Sequence, residues 1–330
     1  MGVNLNGTLL AIDAGNSKTD VAVLSRGGAV LGAARGGGFQ PPVVGVETAV
    51  DGLAEIIGRA WEQAGGAGIR PAFAHVTACL ANADLPVEET DLEQALYARN
   101  LSRSVRVHND TFAILRAGLD EPRGVAVVCG AGINCVGMTP DGRTARFPAI
   151  GKISGDWGGG GGLADEALWC AARAEDGRGL PTALADALPA HFGLESMYAL
   201  IEALHLGRIP LERRHELTPV LFAVAAGEDP VALSLVHRLA EEVVAMAYVA
   251  LRRLGLHHEE APVMLGGSVL AARHPQLEER ILELLAARAP KAVVGFVTAP
   301  PVLGAGLLAL DADGAGPEAK TRLREHYGVV

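Results

Sequence analysis

Apolar residues recur with two different periods along this 330-residue chain, and the changes of period mark its elements. Residues 8–12 form a short run rich in β-formers, the segment Asp13-Ala14-Gly15-Asn16-Ser17-Lys18-Thr19 interrupts it, and residues 20–24 resume it. That pattern predicts a strand, a tight turn and a second strand. It returns at residues 124–138, where Cys129-Gly130-Ala131-Gly132-Ile133-Asn134 separates two apolar runs and the second ends at Pro140-Asp141-Gly142. Two glycine-turned hairpins about 115 residues apart, each opening one half of the chain, predict an internal duplication. Residues 105–108 read as a strand that ends in Asn109-Asp110-Thr111, with a helix continuing from Phe112. Residues 263–265 read as a strand leading through Gly266-Gly267-Ser268 into a helix from Val269. Helical spacing marks residues 197–206, 231–254 and 277–287, and a charged helix covers residues 317–327. Within residues 231–254, Arg238, Glu241, Glu242 and Arg252 break the apolar run, so the segment is an amphipathic helix and not a membrane span.

Neither glycine turn carries G-x-x-x-x-G-K-[S/T] or G-x-G-x-x-G ahead of a helix, which disfavours the nucleotide folds with those signatures. Gly15 frees the backbone to turn and to approach an anion, while Asn16, Ser17 and Thr19 offer donors and Lys18 a cation. Such a hairpin also serves plain chain reversal, and its repetition favours the anion-binding reading. Four of the 28 basic residues are lysine, and two of these, Lys18 and Lys152, stand beside glycine turns. Asp110, at the carboxyl end of a strand and near a helix N-terminus, is either a cap or a catalytic group. Gly158 to Gly162 are five consecutive glycines ahead of a helix expected from about Leu163. Ordering them is costly in entropy, which favours a ligand-closing loop over a linker. Gly266-Gly267-Ser268 opens a helix N-terminus suited to a nucleotide.

The length fits two domains. Lys+Arg 28 against Asp+Glu 38 gives a net charge of -10, and no basic patch interrupts it, so nucleic acid and membrane surfaces are poor partners. Glycine at 42 residues beside a hydrophobic content of 49% excludes disorder and collagen. Cys79, Cys129, Cys135 and Cys170 form no C-x-x-C pair and lie in apolar stretches, as reduced thiols of a cytoplasmic protein do. No basic region precedes the apolar residues 9–12, so no signal peptide is expected.

In chain order, Asp13-x-Gly15-x-Ser17-Lys18-Thr19, Asn109-Asp110, Gly130-x-Gly132-x-Asn134, Gly155-Asp156 and Gly266-Gly267-Ser268 resemble the actin-like and hexokinase-like ATPase superfamily. More closely, residues 8–311 resemble the N-acetylglucosamine kinase branch of the BadF/BadG/BcrA/BcrD ATPase family. The resemblance implies an α/β fold of two ribonuclease-H-like lobes, each a mixed five-stranded sheet with helices, and Mg-ATP in a cleft between them. It implies phosphate loops at Gly15, Asn16, Ser17, Lys18 and Thr19 and at Gly130, Ala131 and Gly132. An adenosine motif is implied at Gly266, Gly267 and Ser268, with Ala226 lining the same pocket. Asp110 matches the catalytic base and also meets the substrate, while Asn134, Gly151 and Asp156 match sugar contacts. The reaction implied is ATP-dependent transfer of the γ-phosphoryl group to the primary hydroxyl of an amino sugar, N-acetylglucosamine or glucosamine.

Phosphoryl transfer asks chiefly for positioning and charge neutralisation, which two donor-rich loops, a lysine and magnesium supply. Asp13, just ahead of the first loop, would orient Mg2+ through water, and Asp110 would take the acceptor's proton. The chain departs from the family at three places. Gly155-Asp156-Trp157-Gly158-Gly159 stands where Gly-Asp-Glu-Gly-Ser is usual, Ala131 replaces a hydroxyl-bearing residue, and Gln40 stands where the sugar kinases present Asn. Two rivals remain: a dehydratase-activating ATPase, which needs thiolates at a shared surface for an iron-sulfur cluster, and a non-catalytic sugar sensor. The duplication places the first lobe at residues 1–117, joined by 312–330, and the second at 118–311. The second lobe's helices carry more apolar surface than one sheet face needs, which implies a homodimer.

Overall fold

The computed structural model describes residue 5 and residues 7–329. Strands β1 (Leu9–Ala14), β2 (Thr19–Leu24), β3 (Val30–Gly36), β4 (His75–Leu80) and β5 (Val105–Asn109) form a sheet in the order β3-β2-β1-β4-β5. The β1–β2 and β2–β3 pairs are antiparallel, and β1–β4 and β4–β5 are parallel. A second sheet contains β6 (Gly124–Cys129), β7 (Ile133–Met138), β8 (Thr144–Arg146), β9 (Ala261–Gly266) and β10 (Ala292–Phe296) in the order β10-β9-β6-β7-β8. Read from its other edge, that order is the first sheet's repeated: a three-strand meander with two later strands added beside its first. The two glycine turns therefore occupy equivalent places, between the first and second strands of each sheet. The fold is α/β, with the two mixed five-stranded sheets that the family resemblance implies.

Every residue of β1 and β2 is buried, because helices cover both faces of the first sheet. Alternation assigns the side chains. Leu10, Ile12, Val21 and Val23 join the core with Val50, Leu53, Ile57 and Trp61 of the helix Val46–Trp61. Leu9, Ala11, Ala22 and Leu24 face the helix Pro301–Ala312 through Leu303, Leu307 and Leu310.

Contacts divide the chain into two units. One holds residues up to Ala126, Val136–Pro148 and residues from Val297 onward; the other holds Val127–Cys135 and Ala149–Phe296. These limits differ from the expected boundaries at 117 and 311, and the helix Pro301–Ala312 gives the reason. Gly304 lies so close to the helix Thr111–Ala117 that a Cβ there would stand 1.8 Å from the Ala113 carbonyl oxygen. The fully buried Arg116 fixes the same junction, its Nε donating to Asp311 Oδ2 at 2.7 Å and its Nη1 to the Leu119 carbonyl at 2.7 Å. Lys320 reaches Asp311 from the last helix, Pro317–His326, at 2.6 Å.

In the second unit the expected helix at 231–254 is Pro230–Leu254. Asp229 caps it by accepting from the Val231 and Ala232 amides, and Gly255 ends it in the left-handed region. Among the described residues no single helix is long and apolar enough to cross a membrane. The expected loop of five glycines is corrected: the helix Gly159–Glu175 already includes Gly159 to Gly162, because main-chain contacts described below hold its first turn.

Gly304→Ala should lower the melting temperature, since the added methyl must push two packed helices apart. Overpacking of this kind costs about 1–3 kcal/mol, or roughly 1–4 °C in a chain of this size, readable by calorimetry.

Candidate functional site

The first unit brings together Asp13, the first glycine turn, Gln40 and Asp110 at one edge of its sheet. The Gly15 amide donates to the Lys18 carbonyl at 2.9 Å and closes the turn, leaving Asn16, Ser17 and Lys18 exposed. Lys18 pairs with Asp20 at 3.3 Å, and Asp20 also holds Arg35 at 2.6 Å. Thr19, counted with this loop, begins β2 and is buried. The turn is clamped from outside. Gly38 lies against the Asn16 carbonyl, where a Cβ would come within 2.0 Å, and the Phe39 amide donates to the Gly15 carbonyl at 2.9 Å. Gln40 Nε2 donates to the Asn16 carbonyl at 2.8 Å, and Asn82 Nδ2 donates to Asn16 Oδ1 at 2.9 Å and to the Phe39 carbonyl at 3.2 Å. Gln40 thus spends one amide hydrogen on the turn. Asn82, held at φ +61°, carried no sequence signal beyond its place just after β4.

Three carboxyls gather at the same edge. Asp13 is the penultimate residue of β1, and burial, with Asp110 and Asp20 adding to it and Lys18 opposing, pushes its pKa up to about 7. Asp110 follows β5, its amide donating to the Leu80 carbonyl at 3.2 Å. Burial raises its pKa to about 6 against donation from Thr111. Asp84, which the sequence reading missed, is raised to about 7, chiefly by burial and then by Asp110 and Glu88. Asn109 donates to Asp84 Oδ1 at 2.8 Å, and Arg146 bonds the Asp84 carbonyl at 2.8 Å and Glu89 at 2.5 Å. No group of three metal-ligating side chains occurs among the described residues. Asp13, a buried carboxylate crowded by two others, fits a hydrated cation held through water.

In the second unit the turn at Gly130, Ala131 and Gly132 is held by main-chain contact. The Gly160 amide donates to the Gly130 carbonyl at 2.7 Å and the Gly161 amide to the Ala131 carbonyl at 3.2 Å, while Thr218 Oγ1 donates to the Gly160 carbonyl at 2.7 Å. Gly159 at φ +75° and Gly267 at φ +84° could carry no Cβ, which would meet Gly132 Cα at 2.5 Å and the Cys129 carbonyl oxygen at 2.4 Å. Beside the turn opens a cavity of about 340 Å³ lined by Gly130, Ala131, Gly160, Gly161, Thr218, Phe222, Ser268 and His274. Phe222 and His274 stack with centroids 4.0 Å apart and planes within 5°. Burial lowers the His274 pKa, so its imidazole is neutral at pH 7. Gly266 is the buried end of β9, and Ser268 lines the cavity. Ala226 does not: it is exposed at the end of the helix Leu217–Ala226, and Phe222, one turn earlier, takes the wall.

A second cavity, of about 330 Å³, is lined by Ala131, Gly132, Gly151, Lys152, Asp156, Trp157 and Glu166. Ala131 thus belongs to the walls of both. Asp156 Oδ2 accepts from the Gly151 amide at 2.9 Å and from Ser154 Oγ at 2.6 Å, which brings those two predicted positions together. Asn134, on β7, accepts from the Cys135 amide at 2.7 Å. Arg238 covers the Trp157 ring at 4.2 Å. Cys79, Cys129 and Cys135 are buried and Cys170 half-buried, and burial pushes the Cys129 thiol up to about 12.

The profile of the BadF/BadG/BcrA/BcrD ATPase family matches residues 10–309. An N-acetylmuramic acid/N-acetylglucosamine kinase of Clostridium acetobutylicum is 24% identical over 58% of this chain and 62% of its own length. An N-acetyl-D-glucosamine kinase of Dictyostelium discoideum is 26% identical over 62% of this chain and 65% of its own. The matches thus span less than two thirds of either relative. Among solved structures, a candidate N-acetylglucosamine kinase of Chromobacterium violaceum is 22% identical with a TM-score of 0.67, over 93% of this chain and 100% of that one. A glucokinase of Streptomyces griseus in complex with glucose and AMPPNP is 17% identical with a TM-score of 0.55, over 92% and 99%. These structures share the fold.

The carboxyls make the ligand-free protein lose stability as pH rises. Asp13 and Asp84 titrate at about 7 in the fold but near 3.8 unfolded, so above pH 4 the native state binds more protons than the unfolded one. Their destabilising effect is absent below pH 4 and complete above pH 7. The melting temperature should fall between pH 5 and pH 8 by an amount that Asp13→Asn reduces; an equal fall in the variant would place the strain elsewhere.

Proposed function

We propose, from the premise that the chain belongs to the BadF/BadG/BcrA/BcrD ATPase family, that it is an ATP-dependent kinase of amino sugars, N-acetylglucosamine or glucosamine. The observation that carries the reading is Asp110, a carboxyl whose pKa of about 6 leaves it ionised yet basic at pH 7, at the sheet edge that also holds the clamped glycine turn. In this reading Asp110 accepts the proton of the acceptor's primary hydroxyl. Gln40, and separately Asn134, Gly151 and Asp156, are the candidates for sugar contact, since sugar hydroxyls suit amide and carboxylate partners.

The nucleotide belongs to the cavity beside Gly130, Ala131 and Gly132. The neutral His274 on Phe222 offers a flat face to the base, and Ser268 offers a hydroxyl to the adenosine. The exposed Asn16, Ser17 and Lys18 offer donors and a cation suited to phosphate. Magnesium, when bound, neutralises phosphate charge, and Asp13 would hold it through water. Buried thiols do not favour the cluster-bearing ATPases of the family. An ATP-using enzyme implies a cytoplasmic setting, and the exposed Trp169, Tyr198 and Ile201 of the second unit support a homodimer.

Asp110→Asn should cut turnover about 100-fold to 10,000-fold while ATP binding persists. Activity within a few-fold of wild type would move the base elsewhere. The acid limb of kcat/KM should fall between pH 6 and 7, because Asp110 at about 6 titrates in concert with Asp13 at about 7. A screen of ADP release over amino sugars identifies the acceptor; no sugar-stimulated release would overturn the kinase reading.

A further inference from the structure

The cavity beside Gly130, Ala131 and Gly132 lies wholly in the second unit, and its walls limit how a nucleotide base can be read there. Phe222 is 3% exposed and His274 half-buried, and the two rings stack with centroids 4.0 Å apart. Phe222 therefore backs the stack, and His274 carries the ring face that stays open. A base laid on that face lies out of reach of the imidazole nitrogens, which point along the plane of the ring and not toward a partner above it. Pro219, Val269 and Ala272 add aliphatic surface to the same walls.

Telling one purine from another needs donors and acceptors of fixed sense, because adenine presents an amino donor where guanine presents a carbonyl acceptor. Among the described lining residues there is no carboxylate or carboxamide side chain, and the polar side chains beside His274 are His215, Thr218 and Ser268. Thr218 and Ser268 carry hydroxyls, which donate or accept as the partner requires. Thr218 already donates to the Gly160 carbonyl at 2.7 Å. His215 is exposed, with Nδ1 bonded to the Glu212 carbonyl, so water competes for its other nitrogen. The two glycine segments spend main-chain groups on each other, the Gly160 and Gly161 amides donating to the Gly130 and Ala131 carbonyls. We propose that the site holds its base by stacking on His274 and by apolar contact, without reading the base edge, so that adenine, guanine and hypoxanthine nucleotides are bound alike. A site built to hydrogen-bond its ligand rejects an unmatched analogue strongly, whereas one that relies on shape and apolar contact discriminates little. The inference rests on the kinase reading for the nucleotide's place in this cavity.

The test is calorimetric binding of ATP, GTP and inosine triphosphate to the whole chain and to its His274→Ala and His274→Phe variants, with sugar-stimulated nucleoside diphosphate release measured beside it. Wild type should bind the three nucleotides within about 10-fold of one another, far below the selectivity of a site that reads the base edge. His274→Ala should weaken all three by a similar factor, about 5-fold to 150-fold, the scale of base–aromatic stacking. His274→Phe keeps a flat ring on Phe222 without ring nitrogens and should restore binding to within about 3-fold of wild type, since stacking needs only the ring face. A preference for one base beyond about 10-fold, a loss in His274→Ala that is absent or confined to one base, failure of His274→Phe to restore it, or no nucleotide binding at all would each overturn the proposal. The expected binding series without any sugar-stimulated release would support the proposal and overturn the kinase reading alone.

Discussion

Main chain touching main chain at the second glycine turn is the constraint on which the site of the second unit depends. Residues 130–132, the first turn of the helix Gly159–Glu175 and Gly267 after β9 come from three distant stretches of sequence, and they meet without side chains between them. Two amides of the helix's first turn, which a helix leaves unpaired, are paired by the carbonyls of the glycine turn. The entropy lost in ordering consecutive glycines is thereby offset by these hydrogen bonds, and Gly159 and Gly267 leave no room for a Cβ where the segments meet. Both cavities of that unit take their shape from this junction, since Ala131 walls each of them.

The first unit follows a different logic. Its turn is exposed and clamped from outside by Gly38, Gln40 and Asn82, while beside it the sheet edge crowds Asp13, Asp84 and Asp110 into a setting that resists their ionisation. Asn109 and Arg146 relieve part of that strain, and a cation or a hydroxyl that donates to the carboxylates would relieve more. One unit thus stores a tendency to hold protons, and the other stores a fixed shape.

Sequence pattern revealed what local chemistry encodes. Both hairpins were legible because a glycine and polar residues stand between apolar runs, and Asp110 was legible because it sits where a strand gives way to a helix. The helix Pro301–Ala312 escaped because it is apolar all round and carries Gly304 and Gly306, so it shows no polar face. Strand β3 escaped because Val30–Gly36 mixes glycine, alanine and arginine and its pairing comes from a neighbour rather than its own residues. Asn82 and Asp84 could be found only in space, since their partners Asn16 and Arg146 are more than sixty residues away. The glycines at 159–162 were misplaced into a loop because helix propensity takes no account of a carbonyl waiting one bond away.

The Arg116–Asp311 pair joins the middle of the chain to a segment near its end. The second unit is nearly contiguous in sequence, whereas the first gathers residues from both sides of it. During synthesis the second unit can therefore assemble while the first still lacks the helix that covers one face of its sheet. Until that helix emerges, Leu9, Ala11 and Leu24 have no apolar cover, and Arg116 has no counter-ion. A chain cut short before residue 297 would present that bare face to chaperones and proteases, so damage at the tail would be read out as loss of the domain at the head.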